Sequence, residues 1–383
     1  MRPIYLDYNA TTPVDPQALE AMLPFLRSEY GNPSSAYALG RRAHAAVEQA
    51  RAEVAALIGA EPDEIIFTGG ATEASNIAIR GAVAINAARD RVVTTNIEHP
   101  ATEACCNLLE RAGNEVRRIG AQRNGIVRAD DVAAAIDGRT ALVTIIHAQN
   151  EIGTLQPVPA IARAARERGA LVHADAAQSV GKIPVGVKAL GVDMLTIAGH
   201  KLYAPKGVGA LYVRRGLQLP PLVVGAGQER GIRPGTENVA FAVALGTACR
   251  IAAGALAEFG ERVGKLASEL LVRLQAAVPG LVLAGDADER LPNTLNVLFP
   301  GVSGREVLEA SPVVLASTGS ACHADSEEPS AILTALGLSP KMALGAVRLS
   351  LGRSTTARDI ATAAASLATA WRDLRAEKTS ATE

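Results

Sequence analysis

A lysine and an aspartate, each placed where an apolar run ends, carry the most distinctive chemistry in this chain. Residues 194–198, MLTIA, read as a strand that stops at Gly199; His200 and Lys201 follow, and 207–213 reads as a returning strand. A lysine held at such a turn against buried apolar walls can give up its proton and act as the amine of a Schiff base. About 25 residues upstream, Asp175 closes the apolar run of LVHADAAQSVGK, with Gln178 just beyond it. Strand ends are where open α/β sheets place ligand-binding groups. Alone, the lysine reads as a solvated turn residue, and the aspartate reads equally well as a helix cap. Together they supply an amine for an imine and a carboxylate for a pyridinium nitrogen, the pairing that pyridoxal phosphate requires.

Other positions become meaningful beside that pair. After a predicted strand over 64–68, FTGGATEASN runs from Gly69-Gly70 into a predicted helix over 73–87. A glycine turn entering a helix N-terminus exposes N–H groups to an anion, with the helix dipole adding attraction. Read by itself it is a tight connection; with Lys201 and Asp175 present, Ala71 and Thr72 become candidate phosphate contacts. His99 follows the predicted strand 92–96, where it suits proton transfer or capping. Gln149-Asn150-Glu151-Ile152-Gly153 forms a polar turn after the predicted strand 141–147. The glycine-rich stretch 225–239, GAGQERGIRPGTENV, has neither helical nor strand period, which marks a functional or mobile loop.

Four cysteines in a chain of 383 residues do not form a disulfide framework. Cys105, Cys106 and Cys249 fall in predicted helices and read as small core residues. Their spacing does not match zinc ligation, so no metal site is expected. Cys322 differs. It lies in STGSACHADSEEP, which has no large apolar side chain, and its neighbour is His323. That composition predicts an exposed, mobile thiol.

Taken in order, YLDYNATTP, GNPSSAYALGRRA, FTGGATEASN, QNEIGTLQP, HADAAQSVGK, AGHKLYAPKGVGALYVRR, RPGTEN and STGSACHADSEEPS resemble the cysteine desulfurases of the NifS/IscS type, within the class-V aminotransferase-like PLP enzymes. The motifs span Tyr5 to Thr356. The resemblance implies fold type I with pyridoxal 5'-phosphate and conversion of L-cysteine to L-alanine. Lys201 would carry the imine, Asp175 would face the ring nitrogen, and His99 would stack on the ring and share proton transfer with Lys201. Asn150 and Gln178 would contact the cofactor, and Ala71, Thr72 and His200 its phosphate. Asn9 would lie near the substrate, and Asn32 with Arg353 would hold its carboxylate. Thr236 would reach the phosphate of a partner subunit in a homodimer. Cys322 would receive the sulfur as a persulfide and pass it to an acceptor protein, for iron–sulfur cluster assembly, tRNA thiolation or DNA modification. Where the family pattern has a Ser or Thr two residues before the histidine, this chain has Ala198, a loss of one hydrogen bond worth about 0.5–1.5 kcal/mol. Selenocysteine lyase, and a non-catalytic PLP-binding scaffold for sulfur transfer, are the alternative readings.

These residues need a frame to hold them. Strands and helices alternate up to residue 213, including a helix over 129–136 and another over 157–168, which predicts an α/β fold with a mainly parallel sheet. Apolar helices over 238–255 and 257–277 lead to short strands, a strand over 346–350, a last helix over 357–375 and an unstructured tail. Residues 14–255 are expected to form the large PLP-binding domain, and residues 1–13 with 256–383 a smaller α+β domain carrying the Cys322 segment. The net charge of −1 provides no basic surface for nucleic acid. No apolar stretch is read as a membrane span and no leader is recognised, so a cytoplasmic protein without membrane contact is expected.

Overall fold

The structure, a computed structural model, describes residues 2–319 and 329–380. The chain enters through a two-residue strand, β1 (Ile4–Tyr5), and the helix α1 (Pro16–Arg27). That helix starts where the Asp15 side chain accepts from Gln17 N and Pro16 pre-sets the first turn. α2 (Ala38–Ile58) follows and ends at Gly59, whose φ of +65° suits glycine.

From there strand and helix alternate as expected, through β2 (Ile65–Thr68), α3 (Ala71–Ile85), β3 (Arg91–Thr95), α4 (Pro100–Arg111), β4 (Glu115–Ile119), α5 (Ala129–Ala135), β5 (Thr140–Ile146), α6 (Val158–Glu167), β6 (Leu171–Asp175), α7 (Val187–Leu190), β7 (Met194–Ala198) and β8 (Gly209–Val213). These strands form one seven-stranded sheet in the order β2-β8-β7-β6-β5-β3-β4. β8 runs antiparallel to both of its neighbours, and β3 to β7 pair in parallel. Helices on both faces bury such a sheet completely, and β5 and β7 are buried at every residue. The carboxyl ends of the parallel strands therefore open along one edge.

The two helices expected over 238–277 are one, α8 (Val239–Ala277), capped by Asn238 Oδ1 accepting from Phe241 N. A lone glycine such as Gly254 costs a helix only about 1 kcal/mol, and good helix formers flank it. The first half of α8 packs Leu245, Ala248 and Cys249 into the core against the large sheet. Its second half packs Phe259, Val263 and Leu270 into a separate core with Ile4, Leu6, Leu349 and Ile360. α8 also contains an 18-residue window of mean hydropathy 1.8, long and apolar enough to span a bilayer, which the sequence reading did not anticipate. Half of that window is buried inside the fold.

The second core is completed by β9 (Val282–Leu283), β10 (Thr294–Leu298), α9 (Gly304–Glu309), β11 (Val314–Leu315), α10 (Ala331–Ala335), α11 (Pro340–Ala343), β12 (Ala346–Ser350) and α12 (Ala357–Ser380). β10 lies antiparallel between β12 and β9, with Arg348 opposite Asn296. β1 pairs in parallel with β11, which returns the N-terminus to this layer. α12 runs past the expected end at 375, because Thr379 Oγ1 donates to Arg375 O and Lys378 Nζ pairs with Glu306 at 2.8 Å.

Candidate active site

A cavity of about 850 Å³ lies where the carboxyl ends of β5, β6 and β7 meet the N-terminus of α3. At the α3 end the chain leaves β2 and turns through Gly69 and Gly70 into the helix. Gly70 takes φ +152° and ψ 176°, a region closed to residues with a Cβ. Gly209 on β8 lies under that turn, where a Cβ would stand 2.8 Å from the Gly70 carbonyl carbon. The two glycines let the turn settle on the sheet edge. Ala71 and Thr72 then line the cavity in the first helical turn, where N–H groups have no partner within the helix. His200, Lys206 and the methyl of Ala198 line it too. Burial, with Lys201 and Lys206 nearby, pushes the His200 imidazole down to about 4, and its Nδ1 lies 3.2 Å from Thr11 Oγ1.

Asp175 ends β6 as a buried carboxyl. Its Oδ1 accepts from Ala177 N at 2.9 Å. Burial pushes its pKa up, while His99 and Lys201 pull it back. A carboxylate so placed is stabilised when a cation enters beside it. His99 caps α4, its Nδ1 accepting from Ala101 N at 3.1 Å. With Nδ1 occupied as an acceptor, the neutral ring carries its proton on Nε2. Burial lowers the His99 pKa, Asp175 opposes that shift and Lys201 adds to it, so the ring is neutral at pH 7.

Lys201 sits in the turn after β7, where Gly199 allows the chain to pass Val208 O; a Cβ there would lie 2.6 Å away. Its Nζ donates to Ala10 O at 2.6 Å and to Asn9 O. The Asn9 side chain is held by Nδ2 donating to Thr294 Oγ1 at 2.8 Å and to Asn150 O at 3.2 Å. Behind this segment Arg348 leaves β12 almost fully buried, pairing with Asp7 at 2.7 Å and donating to Asn150 O at 3.2 Å. Arg348 lines the cavity.

Ala71, Thr72, His99, Asn150, Asp175, Gln178, His200, Lys201 and Asn9 are thus brought together around one space. Two expected substrate contacts are not. Arg353 lies beyond the end of β12, its guanidinium 3.2 Å from Asp15 and 4.3 Å over the Tyr203 ring, beside a separate void of about 10 Å³. Asn32 is exposed and its Oδ1 accepts from Ser34 N at 2.9 Å, which uses it in its own turn. Thr236 is exposed and does not line this cavity. Cys322 lies outside the described residues. The sequence reading passed over Arg348, although a charged residue inside the apolar strand AVRLS is a signal, since arginine is rarely buried without a partner or a task.

The sequence model of the family described as Aminotransferase class-V matches residues 4–362. The chain is 44% identical to a cysteine desulfurase of Trichormus azollae over 94% of its own length and 90% of that protein. Among solved structures it resembles a NifS-like protein, with a TM-score of 0.90, 35% identity and coverage of 96% of this chain and 98% of that one. It also resembles SspA in complex with cysteine, with a TM-score of 0.80, 36% identity and coverage of 91% and 98%.

Proposed function

This chain belongs to the class-V aminotransferase family, and on that footing we propose that it is a pyridoxal-phosphate-dependent cysteine desulfurase. It converts L-cysteine to L-alanine and passes the sulfur to one of its own cysteines as a persulfide. The observation that carries this reading is the single cavity joining Lys201, Asp175 and the α3 N-terminus. The cysteine bound by a structural neighbour supports the substrate.

The residues present fit pyridoxal phosphate. The N–H groups at the start of α3, with Thr72 and His200, suit its phosphate, and the buried Asp175 carboxylate suits a protonated ring nitrogen. When bound, the cofactor supplies an aldehyde carbon for amines and a ring that draws electrons from the substrate Cα. Lys201 Nζ is the amine nearest that role and moves the Cα proton. His99 presents Nε2–H to the same space as a proton donor. Arg348, rather than Arg353, receives the substrate carboxylate, because among the described residues it is the arginine that lines the cavity.

The sulfur step belongs to Cys322, on the resemblance of its segment and by contrast with the other thiols. Burial pushes Cys105 up to about 11, Cys106 up to about 12 and Cys249 higher still, so none of the three is a thiolate at neutral pH. Cys322 thiolate attacks the substrate sulfur and the carbon–sulfur bond breaks. Carbon keeps the electron pair and takes a proton to give alanine, and Cys322 ends as Cys–S–SH. An acceptor protein then takes the outer sulfur. Val223 and Val224, exposed at 71% and 88% beside the loop carrying Thr236, support a homodimer in which that loop reaches the partner's cavity.

The test is the PLP-loaded protein supplied with L-cysteine and a thiol reductant. Equal amounts of alanine and sulfide are expected, and failure of the parent protein to release alanine sinks the reading. Cys322→Ser is expected to keep cofactor and cysteine binding while alanine release falls by about 10²-fold or more, since a serine is not ionised at neutral pH. Near-parental turnover by that variant would place the persulfide elsewhere. Preferential turnover of selenocysteine would favour the lyase reading.

A further inference from the structure

Lys182 ends the HADAAQSVGK motif, and nothing in the reaction above uses it. Lys182 is buried, 5% exposed, between the N-terminal segment and the turn after β6. Nζ donates to Asn9 Oδ1 at 2.8 Å and to Gln178 Oε1 at 2.7 Å. Burial, with the cations Lys201 and Arg348 nearby, holds its pKa well below the ordinary lysine value. Two of its N–H groups are thus taken by two amide oxygens.

Those two bonds settle the orientation of both amides. With Oε1 taken by Lys182, Gln178 must present Nε2 on its other side, and Nε2 donates to Asn9 O at 3.0 Å from a residue that lines the cavity. Asn9 O is also the carbonyl that accepts from Lys201 Nζ. With Asn9 Oδ1 shared between Lys182 and Asn293 Nδ2, at 3.2 Å for the latter, Asn9 cannot turn over. Resting on the functional reading above, we propose that Lys182 is a positioning residue for the reaction. Its amine fixes the Gln178 amide with NH₂ on the Asn9 carbonyl, and so fixes that carbonyl against Lys201.

The test uses apoprotein titrated with pyridoxal phosphate, read by the dissociation constant and the absorption maximum, alongside kcat and KM for L-cysteine in the loaded enzyme. Lys182→Met is expected to raise the cofactor dissociation constant about tenfold, the order expected for releasing a buried hydrogen-bonded amide. Gln178→Leu is expected to do the same. Because the lysine acts through the glutamine, the double variant should be no worse than either single one. Lys182→Leu takes the place of the methionine variant if the latter does not fold. A dissociation constant and absorption maximum equal to the parent's, with only the melting temperature lowered, would reduce Lys182 to a core residue and overturn the inference. Full additivity with Gln178→Leu would overturn it too. If the parent itself binds no pyridoxal phosphate or releases no alanine, the functional reading fails; if the parent does both and the Lys182 variants match it, this inference alone fails.

Discussion

The two walls of the cavity are built by different means. On the large-sheet side, Asp175, Lys201 and the Ala71-Thr72 turn each stand within a few residues of the strand that delivers them, and the hydrogen-bonded ladder sets their spacing. On the other side, Arg348 and Asn9 come from segments over 300 residues apart in the chain. They are held by buried polar bonds, Arg348 to Asp7, Asn9 to Lys182 and Thr294, and Asn9 N to Ser350 Oγ at 2.9 Å. The ladder side can lose the Lys201 amine at little structural cost, because Asn9 O keeps its bond from Gln178 Nε2. The networked side has no such latitude, since each removal leaves a buried group unpaired, at about 1–3 kcal/mol.

The sharpest probe of the ladder side is Lys201→Ala. Alanine formation is expected to fall by about 10³-fold or more, because an amine that serves both attachment and proton transfer is removed. Circular dichroism and the melting temperature should stay close to the parent's; a large loss of stability would erase the contrast between the walls. Asp175→Asn comes next. Cofactor binding is expected to persist while kcat falls by about 10²–10³-fold, the usual loss when a preorganised electrostatic partner is neutralised. Near-normal turnover would remove Asp175 from its role.

The networked side is tested by a pair. Arg348→Gln is expected to raise KM for L-cysteine by about 30-fold or more and to lower the melting temperature, because it breaks a buried charge pair worth about 2–5 kcal/mol on truncation. Arg353→Gln, five residues on, should change KM by less than about threefold, since a partly exposed pair contributes about 0–1 kcal/mol. The reverse ranking would restore Arg353 as the carboxylate ligand.

Glu98, which does not line this cavity, should have the smallest effect on turnover and a readable effect on stability. Thr95 Oγ1 and Ile146 N donate to its Oε1, while its buried Oε2 has no partner among the described residues. Burial raises its pKa from 4.5 to about 8. The folded chain keeps this proton where the unfolded chain has lost it, so this group costs stability as pH rises from about 4.5 to 8. Glu98→Gln removes that dependence. Its melting temperature should gain on the parent's by about 2–6 °C between pH 5 and pH 8, and a gap that does not widen would contradict the buried, protonated carboxyl.

The reach of the sequence follows the same division. Strand, turn and helix signals within ten or so residues decide what stands at a strand end, because the ladder and the alternation of side chains leave few choices. The sheet, the Gly69-Gly70 turn, Lys201 and Asp175 were legible on that basis, as was the burial of Cys105, Cys106 and Cys249. Element ends moved where a single local signal was weak, as at Gly254 inside α8. Which of Arg348 and Arg353 enters the cavity is another kind of question. Both lie in one short polar-apolar stretch, and only the register of β12 on β10, with the bridge from Asp7 to Ser350, turns Arg348 inward and leaves Arg353 beyond the strand against Asp15 and Tyr203. Lys182 was quoted within its motif yet had no visible task, since Asn9 and Gln178 become its partners only when the N-terminus folds back onto the turn after β6. Local periodicity fixes direction along an element; long-range pairing decides which buried polar groups meet, because a desolvated donor is tolerated only where a distant segment brings its acceptor.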